Sequence, residues 1–332
     1  MAKVNRKISS RNIVAVILIL LVGIIPLLLR SSFILRILTL YAIYIILAQA
    51  VNLLAGYTGY FNFGNAAFFG LGAYTTAVII RSVGNIGLPL GMLCGAGLAA
   101  TVALAFSPLF RLHGIFFGMA TMFVNTIIRE YIKMRSDLGG TYGIDVSLPG
   151  ISFDIIWGST YIFMVFVILM IYRFSISKIG RACKAIRDDE LLAECIGIYP
   201  LRYKVAVFAI SAAIAAIAGG FYLSIYQFIS PSIVFDPVWS IQCLNMMLIG
   251  GEGTILGPIF GAIFFTTLSV TLVGLKELQM LIFAAIVIFV IAFAPGGFMG
   301  IYEGAIKIYR GEKKIEDIFK IPFLKKSRYI QK

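Results

Sequence analysis

Apolar runs about as long as a bilayer is thick recur along nearly the whole of this chain, and no other feature restricts its fold so tightly. A hydrocarbon core of about 30 Å needs about 20 helical residues at about 1.5 Å each. Runs near that length fall at residues 13–29, 33–54, 61–80, 87–110, 113–132, 158–173, 205–228, 237–250, 254–274 and 278–294. The pattern predicts an all-α polytopic membrane protein of about ten transmembrane helices. Eight spans with re-entrant pieces satisfy it as well. Only 13% of the 332 residues are charged, about half the share in a soluble domain, and the mean hydropathy is +0.98.

The formal charge of +13 raises the question of nucleic acid, and its distribution answers it. Of 28 Lys and Arg residues, four lie in residues 1–12, seven in 173–204 and nine in 303–332. Basic residues cluster on the cytoplasmic side of membrane proteins, so all three segments are expected there. Parity agrees, since the counted runs place an even number of spans between successive clusters. Both termini are therefore expected in the cytoplasm, with the chain in the cytoplasmic membrane and the basic excess facing anionic lipid. Residues 1–300 read as a transmembrane domain containing a loop at 174–204. Residues 301–332 read as a basic tail on the inner leaflet. The run at 13–29 reads as a retained signal anchor, because it lacks a small-x-small cleavage site and further spans follow.

Several chemistries are excluded by what is missing. With the single histidine, His113, no His-Glu-x-x-His zinc site can form, and no Gly-x-Ser-x-Gly elbow accompanies it. The chain contains no Gly-Lys dipeptide, hence no phosphate loop of the Walker A type. Cys94, Cys183, Cys195 and Cys243 show no paired metal-ligand spacing. The sequence thus offers no catalytic residue, metal site or cofactor site.

Two segments carry helix breakers inside apolar surroundings. In "GYTGYFNFGNAAFFGLGAY" the breakers are Gly56, Gly59, Gly64, Gly70 and Gly72; in "GGEGTILGP" they are Gly250, Gly251, Gly253, Gly257 and Pro258. Non-helical backbone at membrane depth survives only where protein or a watery cavity covers it, so broken helices point to a transport path. Small residues four apart, such as Gly253, Gly257 and Gly261, also let helices simply pack closely. Tyr57, Asn62 and Asn65 are the polar groups in the first segment able to meet a cargo, and the two asparagines can equally bond nearby backbone. Glu252 is a boundary acid suited to a function or to a salt bridge.

The third informative stretch is "GRACKAIRDDELLAECIGIYP", residues 180–200. Asp188 and Asp189 can cap a short helix, Glu190 continues its acidic first turn, and Gly197 followed by Pro200 ends it. Ala193 and Gly197 would leave a surface that another protein can approach, flanked by Leu191, Leu192 and Ile196. An amphipathic helix resting on the membrane is the alternative.

Together with "RYKVAVFAISAAIAAIAGGFY" and "LIGGEGTILGPIFGA", these motifs resemble the LivM-type permeases of high-affinity branched-chain amino-acid ABC importers, over residues 35–300 and in the family's order. The resemblance implies the ABC importer permease fold of about ten helices and a partner permease of LivH type. It also implies two cytoplasmic ATPases and an extracytoplasmic binding protein that delivers leucine, isoleucine or valine. The ATPase-coupling loop of the family matches at Gly180, Arg181, Ala185, Ile186, Arg187, Asp188, Glu190, Ala193 and Gly197. The translocation path would draw on Tyr57, Asn62, Gly64, Asn65, Gly70, Gly72, Gly250, Gly251, Glu252, Gly253 and Gly257. Two departures stand out. Many members carry Gln-Leu-Ser and then His where this chain has Tyr60, Phe61, Asn62 and Asn65, and Glu252 stands where a small or apolar residue is usual. Related permeases of the same build import urea or short amides. An ion-coupled secondary transporter is the competing class, disfavoured because the acids near spans, Glu130, Asp236, Glu252 and Glu277, are few and lie at boundaries.

Overall fold

A computed structural model describes residues 31–112, 114–148, 151–272, 276–293 and 296–300. The expected signal anchor, His113 and the basic tail lie outside the described residues. Among the described residues the helices used below are α1 Ser32–Val51, α2 Asn65–Val83, α3 Gly87–Ala105, α4 Ile115–Met134, α5 Phe153–Ile176, α6 Lys178–Asp188, α7 Glu190–Cys195, α8 Pro200–Tyr226, α9 Pro231–Val234, α10 Pro237–Gly250, α11 Leu256–Thr271 and α12 Lys276–Phe293.

Among the described residues the architecture is all-α apart from one two-residue strand pair. Among the described residues, six helical stretches are long and apolar enough to cross a membrane, which makes this a multi-pass membrane protein. That is fewer than the ten runs of the sequence, partly because Asn65–Ala105 counts as one stretch although α2 and α3 turn at the 3-10 segment Gly84–Ile86. The run at 61–80 also begins too early. Gly59 takes φ +78 and the Gly64 amide donates to Asn62 Oδ1 at 2.8 Å, so α2 cannot start before Asn65.

Helices α2, α3 and α8 pack against one another, while α1 packs on α5, α8, α10 and α11. Lipid tails are as apolar as leucine, so close van der Waals contact and interhelical hydrogen bonds must hold such a bundle together. A Cβ on Gly72 would lie 1.9 Å from the Ala216 carbonyl oxygen, and one on Gly219 would lie 2.0 Å from that of Phe69. Glycine at both places brings the backbones of α2 and α8 into contact. Ser211 donates to the Ala50 carbonyl at 2.6 Å, and Asn125 Nδ2 to that of Phe235 at 2.9 Å. Rings of Phe69, Tyr222 and Trp239 fill the space around these contacts.

At the C-terminal end of α8, Gln227 takes the left-handed conformation at φ 54 and turns the chain into β2, Phe228–Ile229. This strand pairs antiparallel with β1, Ile144–Asp145, in the register Ile144 to Ile229. The pair closes that end of the bundle. The opposite end, where α8 begins, carries α6 and α7.

Candidate functional site

Helices α6 and α7 form a hairpin folded back beneath α5. Ser177 caps α6 by accepting the Gly180 amide at 3.0 Å. A Cβ on Gly180 would lie 2.1 Å from the Phe174 carbonyl oxygen, so the fold-back is tight. Gly180, Ala182, Cys183 and Ile186 turn inward along one face of α6; Ala185 is half-buried, while Arg181, Lys184 and Asp188 are exposed. Burial pushes the Cys183 thiol up to about 12.

The cap expected from the acidic pair falls on Asp189, whose Oδ1 accepts the Leu192 amide at 3.0 Å. Asp188 instead ends the preceding helix, which the sequence reading did not include. Gly197, at φ +84, terminates α7 while the Ile198 amide donates to the Ala193 carbonyl at 3.0 Å, and Pro200 opens α8. One expectation is corrected. Ala193 is 2% exposed and packs into the protein, whereas Gly197 stays open, so the approachable surface belongs to Gly197 with Leu191, Leu192 and Ile196, which are 74%, 65% and 73% exposed.

Two charged side chains of the hairpin, Arg187 and Glu190, also reach inward and are bonded. Arg187, in the last turn of α6, donates through Nη1 to the Gly56 carbonyl and through Nη2 to Glu252 Oε1. Glu190 accepts from the ammonium of Lys204 and, at 3.0 Å, from the Tyr60 hydroxyl. Lys204 also donates to the Tyr60 hydroxyl at 2.7 Å. Burial first, and the bonded Glu190 second, hold the Tyr60 phenol above its usual range. The ammonium of Lys184 sits 5.3 Å from the Tyr57 ring centroid, and that ring meets Phe174 edge-on at 5.2 Å. The hairpin therefore touches both glycine-broken segments.

Those segments also hold each other. After Val51 the first widens into a π-turn, Asn52–Gly56, a form found often at functional sites. Asn52 accepts the Gly253 amide at 2.9 Å and donates to the Thr254 carbonyl at 2.8 Å. Gln49 donates to the Ile255 carbonyl at 2.7 Å. Neither Gln49 nor Asn52 was singled out from the sequence, because both sit in an apolar helix with no breaker beside them.

The remaining path candidates are mostly packed inside the chain. Tyr57, Asn62 and Asn65 are 0%, 3% and 2% exposed, and Asn65 Oδ1 has no hydrogen-bond partner. A Cβ on Gly64 would lie 2.2 Å from the Thr121 carbonyl oxygen, and one on Gly70 would lie 2.4 Å from the Phe235 ring. A cavity of about 10 Å³ beside Asn62, Gly64 and Thr121 has room for one water, far too little for an amino acid. Gly250 closes on Gly257 in the same way, a Cβ falling 1.8 Å from the Gly257 carbonyl oxygen. Gly251 and Gly253 adopt φ +119 and +70.

The sequence profile of a family described as "Branched-chain amino acid transport system / permease component" matches residues 33–291, which include the hairpin and both broken segments. The chain belongs to that family. This permease is 26% identical over 313 residues to the high-affinity branched-chain amino acid transport system permease protein LivM of Salmonella typhimurium, covering 84% of this chain and 72% of the relative. With the same coverage it is 28% identical to LivM of Escherichia coli. It is 23% identical to LivH of Escherichia coli, over 79% of this permease and 92% of the relative. No solved structure matches it significantly.

Proposed function

We propose that this permease is a translocating subunit of an ATP-binding-cassette importer, carrying leucine, isoleucine and valine inward across the cytoplasmic membrane. A homologous permease of LivH type completes the path, a binding protein delivers cargo from outside, and two ATPases dock beneath. Similarity to proteins named for branched-chain amino acid transport supports the cargo. A set of eight spans, the lower end of the expected range, is supported by counting the two helices within Asn65–Ala105 separately and adding the shorter apolar helix Leu256–Thr271. The basic loop and termini face the cytoplasm on the charge distribution.

One observation carries the coupling role: α7 turns Leu191, Leu192 and Ile196 outward while its inner neighbours bond both broken segments. A soluble partner burying two such side chains gains about 1.5–3 kcal/mol from each. Changing Leu192→Asp together with Ile196→Asp is expected to weaken ATPase recovery by roughly a hundredfold or more and to abolish uptake, with membrane yield and thermal unfolding unchanged. Wild-type co-purification and uptake in this variant would remove the docking role. Uptake in proteoliposomes containing the whole complex, with leucine, isoleucine, valine and urea compared, decides the cargo.

A further inference from the structure

The structure assigns to Arg187 the transmission of force from the docking hairpin to both glycine-broken segments, an inference that rests on the importer reading above. Its guanidinium spans two acceptors on segments far apart in sequence, the Gly56 carbonyl and the Glu252 carboxylate. Gly253 makes room for it: a Cβ there would come within 2.8 Å of Arg187 Nη1, whereas one on Gly59 would meet Arg187 Cγ at an ordinary contact distance of 3.4 Å. Gly59 and Gly253 lie at φ +78 and +70, where a larger residue is strained in any case.

Stability does not account for the arrangement. The Arg187 and Glu252 side chains are 31% and 30% exposed, and ion pairs this open to water add little to folding. The bonds instead place the hairpin, whose α7 turns Leu191, Leu192 and Ile196 outward, in direct register with both breaks. Asn52 cross-links those breaks at Gly253 and Thr254. A displacement of α6 and α7 therefore reaches the end of α1 and the start of α11 through one planar group. Lysine cannot replace it, because an ammonium is a point charge and lacks the fork that reaches two acceptors in fixed directions. Glu252 serves as the second anchor of that fork.

The test uses the complete reconstituted complex and reads amino-acid uptake per ATP hydrolysed. Arg187→Lys is expected to keep the ATPases bound and hydrolysing while uptake per ATP falls about tenfold, within the 5- to 150-fold range of ordinary coupling between sites. Glu252→Gln should lose a smaller part. Unchanged uptake per ATP in both variants overturns the assignment. So does loss of ATPase binding in Arg187→Lys, which would make Arg187 a docking residue. If Arg187→Lys fails to fold, Glu252→Gln alone decides, and no loss overturns the proposal. Failure of the importer reading is visible separately, as a wild-type chain that recovers no ATPase.

Discussion

Lys204 is a cation with almost no access to water, its side chain 1% exposed, and Glu190 and the Tyr60 hydroxyl supply its partners. Removing one member of a buried pair costs about 3–5 kcal/mol, and Glu190 at 30% exposure brings the expectation for Lys204→Met to about 2–3 kcal/mol. Thermal unfolding in detergent should show this, and adding Glu190→Gln should restore part of it. Tyr60→Phe keeps the ring contacts with Phe110 and Phe117 and should cost only about 1 kcal/mol. Folding raises the phenol above its ordinary value, so the contribution is complete below about pH 10 and is lost as pH climbs through the folded-state value. A cost of Tyr60→Phe that faded between pH 6 and 8 would contradict this.

The two thiols of the hairpin give opposite expectations at the scale of an element. Cys195 is exposed on α7, whereas Cys183 is buried against the bundle and its thiol is pushed up to about 12. A maleimide at pH 7.5 should modify Cys195 within minutes and leave Cys183 intact unless the hairpin lifts, which mass spectrometry of the peptides would follow. Much of this element was legible in advance. Asp189 and Gly197 act where capping chemistry puts them, and α10 spans the run read at 237–250 to the residue. Other parts were not. Helix α6 is half charged, with alanine and glycine on its inner face, so no apolar run announces it. Asn62 spends its acceptor on the Gly64 amide two residues away, a local turn that sequence alone does not separate from a cargo contact. The union of hairpin and breaks rests on side chains brought together by tertiary packing, and spacing along the chain carries no signal of it.

At the scale of the whole molecule, sidedness is the property to check. The hairpin and the β1 strand lie at opposite ends of α5, Phe153–Ile176, so one membrane crossing separates them. In a variant otherwise free of cysteine, Tyr142→Cys, a position 92% exposed, should react with an impermeant thiol reagent in intact cells. Ile196→Cys should react only after permeabilisation. Labelling of both from outside would contradict the charge-derived topology.

Helix α8 is held at both ends and along its length. Lys204 moors its first turns to Glu190, the β1–β2 pair and the Val146 amide bond to the Gln227 carbonyl at 2.8 Å moor the last, and Gly72 and Gly219 set it flush against α2. Because Glu190 belongs to the hairpin, α8 and the α2 helix locked to it would travel with α6 and α7, so the distance that changes between access states should be that from α8 to α1, while the α2–α8 spacing stays constant. Paired spin labels across the two interfaces would read the difference directly.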